Sequence, residues 1–197
     1  PNSSTSAVAK VSDNYTYMLT GGLFDSQPVY LSTDNGESWS ALPFSSTANE
    51  VHISRSGQVM IIESGSFNNA TIEVSNNFGG SFTTFNLDNI ITLGTSVVFI
   101  NRVALSSGGK FITISVFANG IAAGDNAYRV LKSSDYGASF SDITNNVGFP
   151  STGAYYDVSI QDALISGNGK YEIYFNASGA SRYSDDYGET FIDKNYQ

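Results

Sequence analysis

Short runs in which apolar and polar residues alternate recur along the chain, and this period of two predicts β-strands. Four of these runs follow a turn-like segment that begins with serine, at Ser12, Ser54, Ser106 and Ser166. The runs read YTYMLT, VMIIES, FITISVF and YEIYF. Shorter runs, such as PVYL, ATIEV and YRVL, come later in the first three units. No stretch has the 3.6-residue period of an amphipathic helix, so the pattern predicts an all-β chain.

A second repeated segment of eight residues follows the later run of each unit. Its copies read STDNGESW, SNNFGGSF, SSDYGASF and SDDYGETF, and they begin at Ser32, Ser75, Ser133 and Ser184. Successive copies start 43, 58 and 51 residues apart, which fits one four-stranded sheet per unit. Each unit therefore reads strand a, turn, strand b, loop, strand c, eight-residue turn, strand d. We expect a single domain, residues 1–197, made of units at approximately 1–44, 45–88, 89–146 and 147–197.

The eight-residue segment has the chemistry of a hydrogen-bonded turn. Its third residue can accept hydrogen bonds from backbone N–H groups, its glycine supplies a positive φ, and its final aromatic ring is expected to enter a core. The third residues are Asp34, Asn77, Asp135 and Asp186. The glycines are Gly36, Gly79, Gly137 and Gly188, and the aromatic residues are Trp39, Phe82, Phe140 and Phe191. Asn77 keeps one carbonyl acceptor, so we expect its turn to form but to be weaker.

These four turns, in phase with the serine-led segments, resemble the Asp-box, or bacterial neuraminidase repeat, of sialidase-like and sortilin-like propellers. The resemblance covers nearly the whole chain, and the second copy is the least regular. It implies an all-β fold, a β-propeller of four four-stranded antiparallel blades, either complete or part of a larger propeller. In that family the turns lie on the c–d hairpins at the outer rim, far from the ligand site. The resemblance therefore implies a structural role for the Asp and Asn side chains.

Composition narrows the function without naming it. The chain has no cysteine, which removes disulfides, zinc–thiolate sites and thiol nucleophiles, and its net charge is −9. Such a chain repels phosphate backbones and anionic membranes, so we expect neither nucleic-acid binding nor membrane insertion. The abundant Ser, Thr, Asn, Gly and Tyr are typical of extracellular, cell-surface or virion-surface proteins. The first residue is Pro1, which indicates a processed product or a domain of a longer chain.

The resemblance to sialidases raises the question of a glycosidase site. That family holds the substrate carboxylate with three arginines and uses a Tyr–Glu nucleophile pair and an Asp acid/base. Of the four arginines here, Arg55, Arg102, Arg129 and Arg182, Arg102 alone is expected on an inner strand. We therefore predict no enzyme activity, no catalytic residue, no cofactor and no bound metal. A fragment of a sialidase-like glycosidase remains an alternative.

Other acid–base groups give no stronger signal. Glu50, Asp157 and Asp162 are expected on inner strands and could supply a carboxylate pair, but no motif singles them out. His52 is the single histidine, and no Gly-x-Ser-x-Gly elbow accompanies it.

Ligands of propellers bind where the a strands and their loops converge. The polar residues expected there are Lys10, Glu50, His52, Arg102, Asp157 and Gln161. The simpler interpretation is that they line a solvated channel. Three rings that follow the box Asp or Asn, Phe78, Tyr136 and Tyr187, could stack on sugars or on a neighbouring subunit, although we expect them to pack on their own hairpins. Four sequons, at Asn2, Asn14, Asn69 and Asn176, would permit N-glycosylation.

Two non-catalytic functions follow from this interpretation. The first is an extracellular or particle-surface module that binds a glycan or a protein in adhesion. The second is a structural subunit, such as a surface decoration, fibre or filament protein, whose partner is a copy of itself. Each d strand is an outer edge with unpaired N–H and C=O groups. Either the four blades close on themselves by face packing alone, or the ends meet another chain or missing blades. We expect self-association, because the first and last sheets would otherwise form a weak seam.

Overall fold

The computed structural model describes residues 7–22, 28–43, 48–65, 69–91, 96–119, 126–149 and 160–193. Within these residues the chain folds into four antiparallel sheets of four strands each, which we call blades 1 to 4 in chain order. In every blade the strands pair in the order of the sequence, so each sheet is a simple meander. The prediction of an all-β fold of four four-stranded propeller blades is confirmed.

The fourth strand is the shortest strand of every blade. Blade 1 contains β1 (Ala7–Val11), β2 (Met18–Gly22), β3 (Tyr30–Ser32) and β4 (Ser40–Ala41). Blade 2 contains β5 (Ala48–Ile53), β6 (Met60–Ser64), β7 (Thr71–Ser75) and β8 (Thr83–Asn86). Blade 3 contains β9 (Ser96–Leu105), β10 (Ile112–Asn119), β11 (Asn126–Ser133) and β12 (Ser141–Asp142). Blade 4 contains β13 (Ile160–Ile165), β14 (Glu172–Asn176), β15 (Ser181–Ser184) and β16 (Ile192–Asp193).

Two single helical turns depart from the expectation of no helix. A 3-10 turn, Leu87–Asn89, follows β8, and a four-residue helix, α1 (Thr144–Val147), follows β12. Both lie where a fourth strand ends, and they bury Leu87 and Val147 in the cores between blades. Elements this short cannot show a 3.6-residue period, which is why the sequence gave no sign of them.

The blades pack face to face in chain order through three hydrophobic cores. Blades 1 and 2 share a core that contains Leu19, Leu31, Val51 and Met60. Blades 2 and 3 share one that contains Ile61, Ile72, Val74, Ile112 and Ile114. Blades 3 and 4 share one that contains Tyr128, Val130, Ile160 and Tyr174. Among the described residues, no such core joins blade 4 back to blade 1.

The burial of the second strands follows from this order. In blade 2 every residue of β6 is buried, because Met60 faces blade 1 while Ile61 faces blade 3. In blade 4 the residues of β14 alternate between buried and half-buried, because one face alone is covered. A second strand is therefore buried on both faces in a middle blade and on one face in an end blade.

The serine-led segments are the a–b turns, and their serines are structural. In each blade this serine hydroxyl accepts the backbone N–H of the residue five positions later, at 2.9–3.1 Å. Those acceptor serines are Ser12, Ser54, Ser106 and Ser166. Backbone hydrogen bonds also join neighbouring a–b turns, including Asp13 N–H to Arg55 C=O at 2.9 Å and Ser107 N–H to Gly167 C=O at 2.9 Å.

Blades 2, 3 and 4 have a glycine at the third position after this serine, and close approach of the preceding blade explains it. Gly109 has φ +79°, and a Cβ placed there would lie 2.5 Å from Cβ of Val59 in blade 2. Gly57 and Gly169 meet the equivalent residues of blades 1 and 3 in the same way. Within the described residues no blade precedes blade 1, and its equivalent residue is Tyr15, which has φ 61° and is 65% exposed.

Candidate functional site

The four eight-residue turns share one hydrogen-bond network. In each, the first serine hydroxyl donates to the third-residue side chain at 2.7–2.9 Å and accepts the glycine N–H at 2.8–2.9 Å. The third-residue side chain also accepts the backbone N–H four residues later, at 2.9–3.0 Å. Asn77 makes the same contacts, and its amide donates to the Ser81 hydroxyl at 2.9 Å. Each turn lies between the third and fourth strands of its blade and ties the two together.

These hydrogen bonds favour the ionised form of the carboxylates. The Thr190 hydroxyl and backbone N–H, with the Ser184 hydroxyl, lower the pKa of Asp186 to about 2. The Ser38 hydroxyl and backbone N–H lower the pKa of Asp34 in the same way. Burial by itself would raise the pKa of Asp135, but the hydrogen bonds from its turn outweigh burial and hold this pKa below its usual value. These carboxylates therefore accept hydrogen bonds from groups of their own turns, which indicates a structural role.

The final aromatic residues of the turns do not all enter a core. Phe82, Phe140 and Phe191 are half-buried against the cores between successive blades. Trp39 is 42% exposed, and its indole N–H donates to the Gly36 carbonyl at 3.1 Å. The expectation that Trp39 enters a core is therefore wrong. In the other three blades this ring packs into the core shared with the preceding blade, and among the described residues no such core precedes blade 1.

The rings that follow the third residue of the last three eight-residue turns pack on the preceding blade. The Phe78 and Tyr17 ring centroids are 5.1 Å apart, and those of Tyr187 and Phe111 are 5.2 Å apart. Tyr136 packs against the core between blades 2 and 3. The expectation that these rings pack on their own hairpins is wrong, because their positive φ turns them towards the neighbouring blade.

The polar residues predicted on inner strands lie on the first strands, and two pairs of them bridge neighbouring blades. Lys10 Nζ on β1 lies 3.5 Å from Glu50 Oε1 on β5. Arg102 Nε on β9 lies 2.9 Å from Asp162 Oδ1 on β13. Gln161 is exposed on β13. Asp157 lies outside the described residues.

His52 belongs to a cluster with two carboxylates on blade 2. Its Nε2 lies 2.7 Å from Oε1 of Glu63, and both residues are buried, with 9% and 6% of their surface exposed. One ligand atom from each of Glu50, His52 and Glu63 lies within 4.8 Å of the others. Sequence reasoning missed Glu63, although a charged residue inside the apolar run VMIIES was a usable signal.

A second buried ion pair holds blades 3 and 4 together. Lys132 Nζ lies 2.5 Å from Glu172 Oε1, and Lys132 also donates to the Tyr187 carbonyl. Tyr174 donates to Glu172 Oε2 at 3.0 Å and lies 3.1 Å from the Thr113 hydroxyl, and its burial raises its pKa. Each member of this network has a partner in the other blade or in its own, so we interpret it as structural.

Each of the four arginines has a partner of its own. Arg55 lies in an a–b turn and pairs with Asp13 at 2.7 Å. Arg129 is buried on β11, where its Nη1 donates to the Tyr128 carbonyl at 2.7 Å. Arg182 lies on β15 and pairs with Asp193. With Arg102 paired to Asp162, the chain places no three arginines around one point.

Both end blades expose an apolar face. On blade 4 a cross-strand row runs through Leu164, Ile173, Tyr183 and Ile192, one residue from each strand. Leu164 and Ile192 are 52% and 54% exposed, and the exposed Tyr171 ring stacks on Tyr183 with centroids 6.3 Å apart.

The outer face of blade 1 contains a shallow groove of about 160 Å³ beside Trp39. The groove is lined by Ala9, Lys10, Val11, Met18, Leu19 and Trp39. Its lining is apolar except for Lys10, whose ammonium pairs with Glu50.

The sequons differ in accessibility. Asn14 and Asn69 are exposed, and Asn2 lies outside the described residues. Asn176 is 6% exposed, and its side-chain oxygen accepts the Ala180 N–H and the Ser178 hydroxyl, both at 2.8 Å. The prediction that Asn176 is open to glycosylation is wrong, because a glycan there would break a buried turn.

Comparisons with known proteins support the fold. No protein-family profile and no curated sequence matches the chain. The GH74 enzyme of Niastella koreensis is similar in structure over 94% of this chain, at 18% identity and a TM-score of 0.60. The GH74 xyloglucanase of Xanthomonas campestris is similar over 97%, at 13% identity and 0.57, and Kuenenia stuttgartiensis hydrazine synthase over 90%, at 11% identity and 0.61.

These likenesses establish the class of protein, a β-propeller. The chain spans 29% and 30% of the two GH74 chains and 51% of the hydrazine synthase chain. Identities this low show the fold alone, so the activities of these proteins are not transferred. Within the described residues, no helix has the length and hydropathy needed to cross a membrane.

Proposed function

We propose that this chain is a non-catalytic, self-associating propeller module, and that it pairs through the exposed face of blade 4 with the same face of a second copy. The observation that carries this proposal is the apolar cross-strand row on that face. Leu164 and Ile192 are more than half exposed there. Contiguous exposed apolar surface on a folded domain usually marks an interaction site.

Tyr15 is the reason for preferring blade 4 against blade 4 over blade 4 against blade 1. Wherever one blade follows another in this chain, a glycine such as Gly109 sits against the preceding blade, with no room for a Cβ. Blade 1 has Tyr15 at that position. A blade 4 face placed there in the same geometry would collide with the tyrosine. Pairing of blade 4 with its own copy avoids this collision and gives a closed two-fold dimer.

The size of the face bounds the affinity. Four strands about 4.8 Å apart and about five residues long cover roughly 300 Å². A standard interface buries about 800 Å² per partner, so the blade 4 dimer is expected to be weak. A dissociation constant on the order of 10–100 µM is consistent with an interface at the low end of the size range.

Glycan binding, which the sequence left open, has less support. The cations on the inner strands are paired with carboxylates of neighbouring blades. The groove beside Trp39 has an almost wholly apolar lining, which suits an apolar protein side chain better than the hydroxyl groups of a sugar. The glycosidase alternative has no support, because each of the four arginines is engaged with a partner of its own.

An extracellular or particle-surface location is part of the same proposal. It is supported by the abundance of Ser, Thr, Asn, Gly and Tyr, and the exposed sequons at Asn14 and Asn69 are compatible with it. Secretion from a eukaryotic host followed by endoglycosidase digestion tests whether these sites are compatible with the fold. A secreted, folded protein with modified Asn14 or Asn69 supports the proposal, and retention of misfolded chain contradicts it.

Sedimentation velocity over a range from about 5 to about 300 µM tests the self-association, because this range spans the expected dissociation constant. The wild-type chain is expected to shift from monomer to dimer. Leu164→Glu places a charge in the blade 4 row and is expected to keep the chain monomeric. Val11→Glu is the matched control, because Val11 is 46% exposed on the outer face of blade 1. A monomeric wild type, or equal disruption by the two variants, would contradict the proposed interface.

A further inference from the structure

We propose that Glu50, His52 and Glu63 form a binding site for one divalent transition-metal ion on blade 2. The sequence alone predicted no bound metal, because the one histidine and the scattered carboxylates form no ligand motif. The site is independent of the blade 4 interface, since its three residues lie on β5 and β6.

The register of the two strands brings the three side chains together. Glu50 on β5 lies directly opposite Glu63 on β6, and their side chains share a face of the sheet. His52 lies two residues after Glu50, so its side chain is on that face as well. The result is one imidazole nitrogen and two carboxylate oxygens within 4.8 Å of one another.

The charges of this arrangement call for a cation. Carboxylates directly opposite each other on neighbouring strands repel, and burial increases the cost of an unpaired charge. Glu63 is 6% exposed, and His52 is the one basic group of the described residues within 4.0 Å of its carboxylate. Lys10 contacts Glu50 from the solvent side, at 3.5 Å. A bound metal ion would neutralise both glutamates and use His52 as a neutral ligand.

The donor set indicates the class of metal. One imidazole and two carboxylates suit Zn²⁺, Mn²⁺ or Co²⁺, whereas Ca²⁺ and Mg²⁺ prefer all-oxygen sites. Ligand atoms around Zn²⁺ stand about 2.0–2.2 Å from the ion and so roughly 3.3 Å from one another. The separation of 2.7 Å between His52 Nε2 and Glu63 Oε1 must widen slightly. Glu50 is half exposed, so a fourth position open to water remains on its side.

Isothermal titration of tag-free, chelator-treated protein with ZnCl₂ at neutral pH tests the site. One Zn²⁺ per chain is expected. Glu63→Gln, which keeps the size of the side chain and can still accept a hydrogen bond from His52, is expected to weaken binding about 10- to 100-fold. Glu73→Gln is the matched control and should leave the affinity unchanged. Glu73 is a carboxylate of similar burial, 7% exposed, on β7 of the same blade, where it accepts from Thr84.

Lys10→Met provides a second readout that loss of folding cannot imitate. Removal of the competing ammonium is expected to raise the Zn²⁺ affinity about two- to fivefold, the size of an exposed ion pair. The proposal is overturned if the wild type does not bind Zn²⁺ at millimolar concentration. It is also overturned if Glu63→Gln and Glu73→Gln bind equally well, or if Lys10→Met binds more weakly than the wild type.

Discussion

Gly109 offers a test of how closely neighbouring blades approach. Its φ is +79°, and a Cβ added to it would lie 2.5 Å from both Cβ and Cγ2 of Val59 and 3.2 Å from Cβ of Ser54. Cβ of Val59 is bonded directly to the backbone of blade 2, so rotation of the valine side chain cannot remove the collision. Gly109→Ala must therefore separate blades 2 and 3 locally or strain both turns.

The expected loss has two components. A left-handed conformation costs alanine about 1–2 kcal/mol. Overpacking of a close contact adds about 1–3 kcal/mol. The total of roughly 2–5 kcal/mol corresponds to a fall in Tm of about 5–15 °C, since each kcal/mol moves Tm by about 2–4 °C in a chain of this length.

Gly179→Ala is the matched control because Gly179 has φ +84° and nothing within 4 Å of its added Cβ. It pays the conformational cost alone, so the difference between the two variants isolates the contact between blades. Urea unfolding of both variants should show Gly109→Ala to be less stable by about 1–3 kcal/mol. Equal losses would refute the close approach of blades 2 and 3 at this turn.

Two further predictions concern the box turns and the arginines. Because the pKa of Asp186 is lowered to about 2 in the fold, its ionisation stabilises the protein above its usual pKa, and this contribution is lost as pH falls from about 4 towards 2. Asp186→Asn should flatten the pH dependence of the urea midpoint in that window while keeping the turn, as Asn77 does in blade 2; an unchanged slope would contradict the hydrogen-bonded anchor. Purified protein should release no sialic acid from a fluorogenic sialoside, because Arg102 is paired with Asp162 and has no arginine partners; measurable release would contradict the non-catalytic interpretation.

Local chemistry could be predicted from the sequence, whereas contacts between blades could not. The Ser–Asp–Gly pattern of each box is satisfied within eight residues, so Asp135 and its equivalents lie in the turns that their spacing indicated. Where an aromatic ring of these turns packs depends on the preceding blade, because the ring contacts that blade. For that reason Phe78 packs on Tyr17 of blade 1, whereas Trp39 of blade 1 has no preceding blade among the described residues to pack on.

The cluster on blade 2 was hidden for a related reason. Glu63 joins His52 through the pairing register of β5 and β6, which the spacing of 11 residues along the chain does not reveal. The sequence indicated that Gly109 lies in a turn. The reason that the position must be glycine is the close approach of Val59, which is distant in the sequence. A residue whose role depends on a contact with another blade cannot be recognised from the sequence around it.

The exposure of Trp39 tests most directly whether blade 1 has an uncovered outer face. Trp39 is the single tryptophan, so fluorescence excited at wavelengths that the 12 tyrosines do not absorb reports on this face alone. Trp39 is 42% exposed, and we expect the same exposure when two copies pair through blade 4. We predict a red-shifted emission that acrylamide quenches readily and equally at low and high protein concentration. A blue-shifted emission protected from acrylamide, in the monomer or on association, would contradict this account, because it would mean that another blade covers blade 1.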